Sequence, residues 1–176
     1  MQEIVLSENK LKEIPEGVFN SSKIESINLN FNEISFVAGK AFNDMKHLNY
    51  IGLEYNKLKA WNSNWFCGET RLTIAFSTNF LETIPAGAFT YIPEGSTLKL
   101  DNNRIKRIDD SAFSGVTRLE NIDLSYNKIK EWNVDHLKNV VVEDFVDFTG
   151  NKIKCPEDDV SALAPKAQTV YFGECM

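Results

Sequence analysis

The sequence predicts an α/β solenoid, with about seven stacked coils of 23 or 24 residues, a parallel β-sheet on the concave face and a C-terminal cap. An asparagine recurs at nearly constant spacing, and each one lies in the same apolar–x–apolar–x–x–Asn–x–apolar run. A large apolar residue follows ten positions after each of the first six asparagines, and five of these six are phenylalanine. Such a fixed period is typical of stacked repeats rather than of a globule with one closed core. The asparagines are Asn9, Asn32, Asn56, Asn79, Asn103, Asn127 and Asn151.

Each coil begins with a predicted strand. The coils start near residues 1, 24, 48, 71, 95, 119 and 143, and the solenoid is predicted to span residues 1–154. Positions three to eight of a coil alternate between inward apolar and outward residues, which is the period of a strand. We expect successive strands to pair in parallel, ~4.8 Å apart. Arg71, Gly95 and Glu143 replace an apolar residue at position one, which predicts the loss of one core contact in each of those coils.

The asparagine follows the strand, where the chain turns into the coil. Its amide offers two donors and an acceptor, so it can satisfy backbone groups at the bend. Its loss is expected to cost ~1–3 kcal/mol.

The repeat pattern resembles a known family. The run LxxLxLxxNxL, continued by Ile14-Pro15 and Ile84-Pro85, resembles a leucine-rich repeat of the extracellular type. The repeats are also similar to those of insect leucine-rich immune proteins and Toll-like receptor ectodomains. This resemblance implies a secreted protein, or the extracellular part of a membrane protein, with a recognition role in innate immunity.

Residues 155–176 form the predicted capping segment, with a short helix whose Val160 and Leu163 cover the last coil. Extracellular leucine-rich repeat proteins often end in a disulfide-tied cap, so the resemblance implies a Cys155–Cys175 bridge. Closing that loop would contribute ~3 kcal/mol by restricting the unfolded chain. The alternative is a pair of reduced thiols in a reducing compartment.

Two further residues have two interpretations each. Cys67 directly follows the Phe66 core position, so a buried inert thiol is one interpretation and intermolecular pairing the other. Asn20 begins an Asn-x-Ser triplet and is a candidate glycosylation site, although such triplets also arise by chance.

Composition excludes several classes of partner. A formal charge of −6 argues against a nucleic-acid partner and against an anionic membrane surface. No apolar run approaches the length of a transmembrane helix, and no signal peptide is visible. The first coil has no predicted cap, so we expect either a preceding cap in a longer protein or self-association through the first repeat.

The sequence offers no arrangement typical of catalysis or of a cofactor or metal site. His47 and His136 both map to the return side of the coils, without partners at metal-ligand spacing. No glycine-rich phosphate loop is present, and no Ser–His–Asp set can be argued. We therefore expect no enzyme activity, no cofactor and no metal.

The predicted concave face carries the candidate partner-binding residues. Its outward aromatic side chains are exposed anchors of the kind found at protein interfaces, and the small residues Gly52, Ala75 and Ser77 predict a shallow hollow beside them. The carboxylates predict a partner with Lys or Arg and an apolar knob, and a sugar is also compatible. The alternative is a solvated sheet whose aromatics pack on each other. The candidates are Phe31, Tyr50, Glu54, Tyr55, Asp101, Asp123 and Tyr126.

The function predicted from these features is non-catalytic recognition of a protein or pathogen surface through the concave face. A structural or adhesion scaffold of the extracellular matrix is one alternative, and a fragment of a receptor ectodomain is another.

Overall fold

The computed structural model describes residues 2–19, 23–43, 45–66, 70–154 and 160–173. Within these ranges, eight strands form one parallel sheet in the order β1-β3-β5-β6-β8-β10-β11-β12. Each of the seven predicted coils contributes one strand, which confirms the predicted solenoid. The strands are β1 (Gln2–Val5), β3 (Ile24–Asn28), β5 (Tyr50–Gly52), β6 (Thr73–Ala75), β8 (Ser96–Lys99), β10 (Arg118–Asp123), β11 (Val141–Asp147) and β12 (Ala167–Tyr171).

The return path of the coils is built from turns and very short elements. Strand β2 (Glu13–Ile14) pairs with β4 (Phe36–Val37), and β7 (Thr83–Ile84) pairs with β9 (Arg107–Ile108), both in parallel. The helical elements among the described residues are two 3₁₀ helices, Val134–His136 and Val160–Leu163. No helix in this part of the chain is long and apolar enough to cross a membrane.

The core consists of the predicted apolar columns. Positions four, six and eleven of coils two to six are 1% exposed or less, as in Ile74, Phe76 and Leu81. The phenylalanine column lies on the far side of the coils, and its rings contact along the solenoid axis. Centroid distances are 6.0 Å for Phe19–Phe42, 5.6 Å for Phe42–Phe66 and 4.7 Å for Phe89–Phe113. Each coil is therefore held by its neighbours rather than by its own residues.

The asparagine column joins successive coils through hydrogen bonds. The Oδ1 atom of Asn79 accepts from the Leu58 N–H of the preceding coil at 3.0 Å. Its Nδ2 donates to Leu53 O at 2.8 Å and to Phe76 O at 3.1 Å. The same acceptor contact to the preceding coil recurs in all six asparagines from Asn32 to Asn151, at 2.9–3.1 Å.

The first asparagine is the exception, because the described chain has no coil before it. Asn9 is exposed, and among the residues that the structure describes it donates only to Leu6 O and Ser7 O, at 3.2 and 3.0 Å. The ladder of asparagines therefore acts as a set of links between coils, and Asn9 lacks the link.

The expectation of lost core contacts at position one is wrong. The inward site is filled by an adjacent residue: by Leu72 and Ser96, one residue later, and by Val142, one residue earlier, which are 4%, 0% and 1% exposed. Ser96 is polar, and its hydroxyl accepts from Leu72 N at 3.0 Å and donates to Pro93 O at 2.7 Å. The strand ladder shifts register near this point, as between Leu119 and Ile122. The core therefore tolerates polar residues at position one without losing its filling.

The three departures at position one instead meet at the surface. The guanidinium of Arg71 lies over Gly95, where a Cβ atom would be 2.7 Å from it. Its Nη2 atom is 3.2 Å from Glu143 Oε2, and its Nη1 atom is 3.4 Å from Glu120 Oε1. Arg71 thus reaches across coils in a way that only a glycine at position 95 permits.

The C-terminal segment contributes an element that the sequence does not predict. Leu163, 4% exposed, lies in a 3₁₀ helix as expected of a covering helix, and its carbonyl accepts from Trp132 Nε1 at 2.8 Å. The chain then forms β12, which pairs with β11 and places Val170 opposite Val146. The predicted bridge of Cys155 and Cys175, the thiol of Cys67 and the glycosylation site at Asn20 lie outside the described residues.

Candidate functional site

The side chains that stand out from the sheet lie at position eight, directly after each strand. All seven have a left-handed backbone, with φ between 51° and 58° for the six non-glycine residues and 73° for Gly150. The conformation is held by hydrogen bonds between coils, for example from Phe31 N to Glu54 O at 2.9 Å and from Tyr126 N to Thr149 O at 2.7 Å. Non-glycine residues pay a strain cost in this region, which these contacts offset. The column is Glu8, Phe31, Tyr55, Thr78, Asn102, Tyr126 and Gly150.

Two aromatic residues of this column form a stacked pair. The rings of Phe31 and Tyr55 have centroids 4.3 Å apart and planes 9° from parallel, and each residue remains 50% exposed. The structure does not bring Tyr126 to this pair, because it belongs to coil six. Its ring lies over Gly150, where a Cβ atom would be 2.7 Å from Cδ1, and 59% of Tyr126 is exposed. The position-eight column therefore presents aromatic side chains at two separate places.

Tyr50 fills the space predicted to be a hollow. A Cβ atom on Gly52 would lie 2.7 Å from the Tyr50 hydroxyl and 2.6 Å from Asn30 Oδ1. Ala75 and Ser77 are also buried, 1% and 7% exposed. The hollow is therefore absent at these residues, because Tyr50 folds back over the glycine instead of standing outward. Burial raises the pKa of Tyr50, and nearby Glu54 and Glu3 raise it further, against a hydrogen bond to Asn30.

The carboxylate of Glu54 is fixed in place beside the aromatic pair. Asn30 Nδ2 donates to Glu54 Oε2 at 3.0 Å, and the Glu54 N–H donates to Asn30 Oδ1 at 2.9 Å. Asn30 is 8% exposed, so the pair of bonds is largely shielded from water. Sequence reasoning missed Asn30 as a site residue, although it stands at the same strand position as Glu54 one coil earlier.

Three carboxylates from successive coils form an acidic row along the sheet, Asp101, Asp123 and Asp147. Asp101 accepts from the Ser77 hydroxyl and from Asn102 Nδ2, the latter at 2.8 Å. Burial raises the pKa of Asp123, and the charges of Asp101 and Asp147 raise it further, while hydrogen bonds from Ser125 oppose the shift. The ionised form of Asp123 is therefore disfavoured, first by its burial and then by its two acidic neighbours.

The two histidines lie on the return side, as predicted. His47 is exposed, whereas the side chain of His136 is 3% exposed and its Nε2 atom lies 3.2 Å from Asp110 Oδ1. That contact is within ion-pair distance, but it lacks the alignment of a hydrogen bond. Burial lowers the pKa of His136, and the charge of Asp110 partly offsets the shift. In the described part of the chain, no group of three or more His, Cys, Asp or Glu side chains is placed to hold a metal ion.

Comparisons with known proteins support the repeat assignment. The leucine rich repeat family matches residues 1–58, 22–74 and 93–142, which together exceed half of the chain. Tsukushi-A of Xenopus laevis is 28% identical over 103 residues, covering 56% of this chain. The match spans only 29% of that protein. The chain belongs to the leucine rich repeat family.

Proposed function

We propose that this chain is a non-catalytic recognition module that binds a protein partner through the concave face. The observation that carries the proposal is the stacked, half-exposed pair of Phe31 and Tyr55, next to the fixed carboxylate of Glu54. The proposed contact residues are Phe31, Tyr50, Glu54, Tyr55, Asp101, Asp123 and Tyr126.

The aromatic pair is suited to act as an anchor. Covering the exposed halves of two aromatic side chains removes roughly 200 Å² of apolar surface, which corresponds to about 5 kcal/mol before the costs of association. Because the rings already stack on each other, little side-chain freedom remains to be lost on binding. This preorganisation is what a hot spot requires.

The acidic row supplies the second half of the recognition. A partner that places Lys or Arg side chains along Asp101, Asp123 and Asp147 brings opposite charge to a carboxylate whose pKa is raised chiefly by burial and further by the charges of Asp101 and Asp147. The proposed partner therefore combines an apolar or aromatic knob, seated on Phe31 and Tyr55, with a basic segment directed toward coils five to seven. Such charge complementarity contributes chiefly to specificity and association rate.

The proposal places the protein outside the cell. Its support is the extracellular type of the repeat continuation, as at Ile14-Pro15, and the terminal cysteines Cys155 and Cys175, whose bridge remains a prediction. A role in innate immunity is part of the same proposal and rests on resemblance alone.

Self-association through the first coil is a further part of the proposal. Strand β1 pairs only with β3 in the described part of the chain, and Val5 and Leu6 beside its free edge are 58% and 37% exposed. A second copy that pairs along this edge would satisfy its backbone groups. Light scattering should show dimers that a Val5→Lys substitution removes, and a monomer at high concentration would contradict this part.

The test is capture of partners from native extracellular fluid by three immobilised proteins. These are the unsubstituted chain, Phe31→Ala/Tyr55→Ala, and the matched control Phe36→Ala/Tyr91→Ala. Phe36 and Tyr91 are each 57% exposed but lie away from the position-eight column. Circular dichroism and urea unfolding first establish that all three proteins fold.

The expected result is a protein retained by the unsubstituted chain and the control and lost by the concave-face variant. Equal retention by all three would contradict the proposal, as would a concave-face variant that fails to fold, since the aromatics would then be structural. Retention that disappears after deglycosylation of the fluid would show a sugar partner instead of a protein.

A further inference from the structure

Although the net charge of the chain is negative, one surface on the flank beside the concave face is basic. After the asparagine, positions ten and twelve of coils five to seven are all Lys or Arg, and Arg107 adds a third residue to coil five. All seven side chains are exposed. We call this surface the basic flank, consisting of Arg104, Lys106, Arg107, Lys128, Lys130, Lys152 and Lys154.

The basic flank is a regular array because its residues occupy equivalent places in stacked coils. The N–H groups of Arg104, Lys128 and Lys152 each donate to the position-eleven carbonyl of the preceding coil, at 2.9, 2.8 and 2.8 Å. Side chains of one column are therefore separated by the coil spacing of ~4.8 Å. The charges form two parallel rows along the solenoid axis.

Much of this charge has no counter-charge in contact. Lys106 pairs with Glu82 at 3.0 Å, and Arg104 lies over the Phe80 ring at 4.2 Å. For Lys128, Lys130 and Lys152, no carboxylate lies within ion-pair distance among the residues that the structure describes. These three lysines are thus available to an external anion.

A groove runs beside the lysines. Two adjoining cavities of about 650 and 660 Å³ share Lys130, Glu131 and Trp132 as lining residues. Trp132 is partly buried, and its ring lies 4.6 Å from that of Phe148 and 4.7 Å from that of His136, measured between centroids. The first cavity continues to Lys106 and Arg107, and the second to Lys152 and Ile153. The groove therefore combines an aromatic wall with cations on both sides.

We propose that the basic flank binds a linear sulfated polysaccharide that lies along the solenoid axis, with a sugar ring against Trp132. A chain with regularly repeated charges matches cations that repeat from coil to coil. Five of the seven cations are lysines, which act as compact point charges, whereas planar bidentate recognition of carboxylate or phosphate favours arginine.

The remaining lining residues favour a sugar over an acidic peptide. Asp109, Asp110, Glu131 and Asn133 also line the first cavity. Carboxylates repel every anionic group, sulfate included, but they accept hydrogen bonds from the hydroxyl groups of a sugar, which the side chains of a polyglutamate-like segment lack. A mixed lining of cations and acceptors therefore fits a ligand that carries both sulfates and hydroxyls.

The test uses a size-defined heparin oligosaccharide and isothermal titration calorimetry at two salt concentrations. The flank variant is Lys128→Ala/Lys130→Ala/Lys152→Ala. The matched control is Lys10→Ala/Lys12→Ala/Lys59→Ala, which removes the same charge from the same two columns in coils one and three. In coil two, between the control positions, the carboxylate of Glu33 pairs with Lys57 at 2.9 Å. The pKa of Glu33 is lowered by Lys57 and, to a smaller extent, by Lys12 and Lys10.

The expected result is affinity that weakens as salt rises and that falls about tenfold or more in the flank variant, with a much smaller change in the control. Equal losses in the two variants would overturn the proposal, because net charge alone would then explain binding. Equal binding of desulfated heparin, of polyglutamate or of an oligonucleotide would also overturn it. The Phe31→Ala/Tyr55→Ala variant should keep full affinity, so this test is separate from that of the concave face.

Discussion

Replacing Asn79 by alanine tests the role of the asparagine ladder. Asn79 is 2% exposed, and its amide makes three hydrogen bonds of 2.8–3.1 Å, with Leu58 N–H, Leu53 O and Phe76 O, and a longer one of 3.4 Å to Ser77 O. Sequence spacing alone would treat the three short bonds as equally costly to lose. They are not equal, because Leu53 O also accepts from Asn56 Nδ2 at 3.1 Å and Phe76 O also accepts from Asn103 Nδ2 at 3.0 Å. Each carbonyl keeps one donor after the substitution, and only the Leu58 N–H loses its partner.

The magnitude follows from that inventory. An unsatisfied buried N–H costs about 1–3 kcal/mol, and each lost carbonyl bond costs about 0.5–1.5 kcal/mol. We therefore expect Asn79→Ala to lower the free energy of unfolding by about 2–6 kcal/mol. The matched control is Asn9→Ala, where the amide is exposed and has only its two local bonds, so we expect a loss below about 1 kcal/mol.

Urea unfolding followed by tryptophan fluorescence and by circular dichroism measures both values. The two probes must give the same transition, because a solenoid with a broken link can unfold in parts. Equal losses for Asn9→Ala and Asn79→Ala would refute the reasoning, since the asparagines would then act within their own coil and not between coils.

Three further substitutions test packing and titration. Burial holds the pKa of His136 below 6.5, so the unfolded chain binds the extra proton and the free energy of unfolding should fall as pH drops below 6.5. In His136→Gln the urea midpoint should change less between about pH 7.5 and about pH 5.5 than in the unsubstituted chain. An equal change of the midpoint with pH in both proteins would contradict this prediction. Gly52→Ala should cost about 1–3 kcal/mol and bring the raised pKa of Tyr50 back toward 10.0 in an absorbance titration, because the methyl group displaces the ring; an unaltered titration would count against the packing. Leu72→Ala should lower the free energy of unfolding by about 2–5 kcal/mol, whereas Arg71→Ala, at an exposed residue, should lower it by less than about 1 kcal/mol. A larger loss for Arg71→Ala than for Leu72→Ala would instead support the sequence prediction that residue 71 occupies the inward position.

Sequence periodicity predicts the columns because burial selects residue type. An inward position of a coil excludes polar side chains unless they are hydrogen-bonded. The residue types of Ile74, Phe76 and Asn79 are therefore enough to predict that they face inward. The same logic fails at position one. There Arg71 and Glu143 remain accessible to solvent while Leu72 and Val142 enter the core, and in coils six and seven the strand ladder shifts register between Leu119 and Ile122.

The left-handed column could not be predicted because its cause is not in the residue types. Asn102 and Gly150 are ordinary residues for positive φ, but Phe31, Tyr55 and Thr78 are not. Hydrogen bonds from the neighbouring coil impose the conformation, and they exist only once the coils stack. Strand β12 was missed for a similar reason, since pairing with β11 creates it and the sequence of the segment shows little alternation.

The sequence predicts the exposure of Phe31, Tyr55 and Tyr126 but not the arrangement of their side chains. Phe31 and Tyr55 are exposed and adjacent, as the register indicates, while their stacking requires the left-handed turn. Tyr50 was expected to stand outward and instead covers Gly52. The overall charge of −6 does not reveal the basic flank, because it sums the charges of the basic flank and of the acidic concave face.

The most direct test of the concave-face account is site-specific photocrosslinking. p-Benzoylphenylalanine placed at position 55 reports contacts of the aromatic pair, and the same residue placed at position 91, where Tyr91 is exposed away from that column, is the control. After irradiation in native extracellular fluid, the account predicts a crosslinked protein partner from position 55 and none from position 91. A partner crosslinked from position 91 alone, or from neither position, would contradict it.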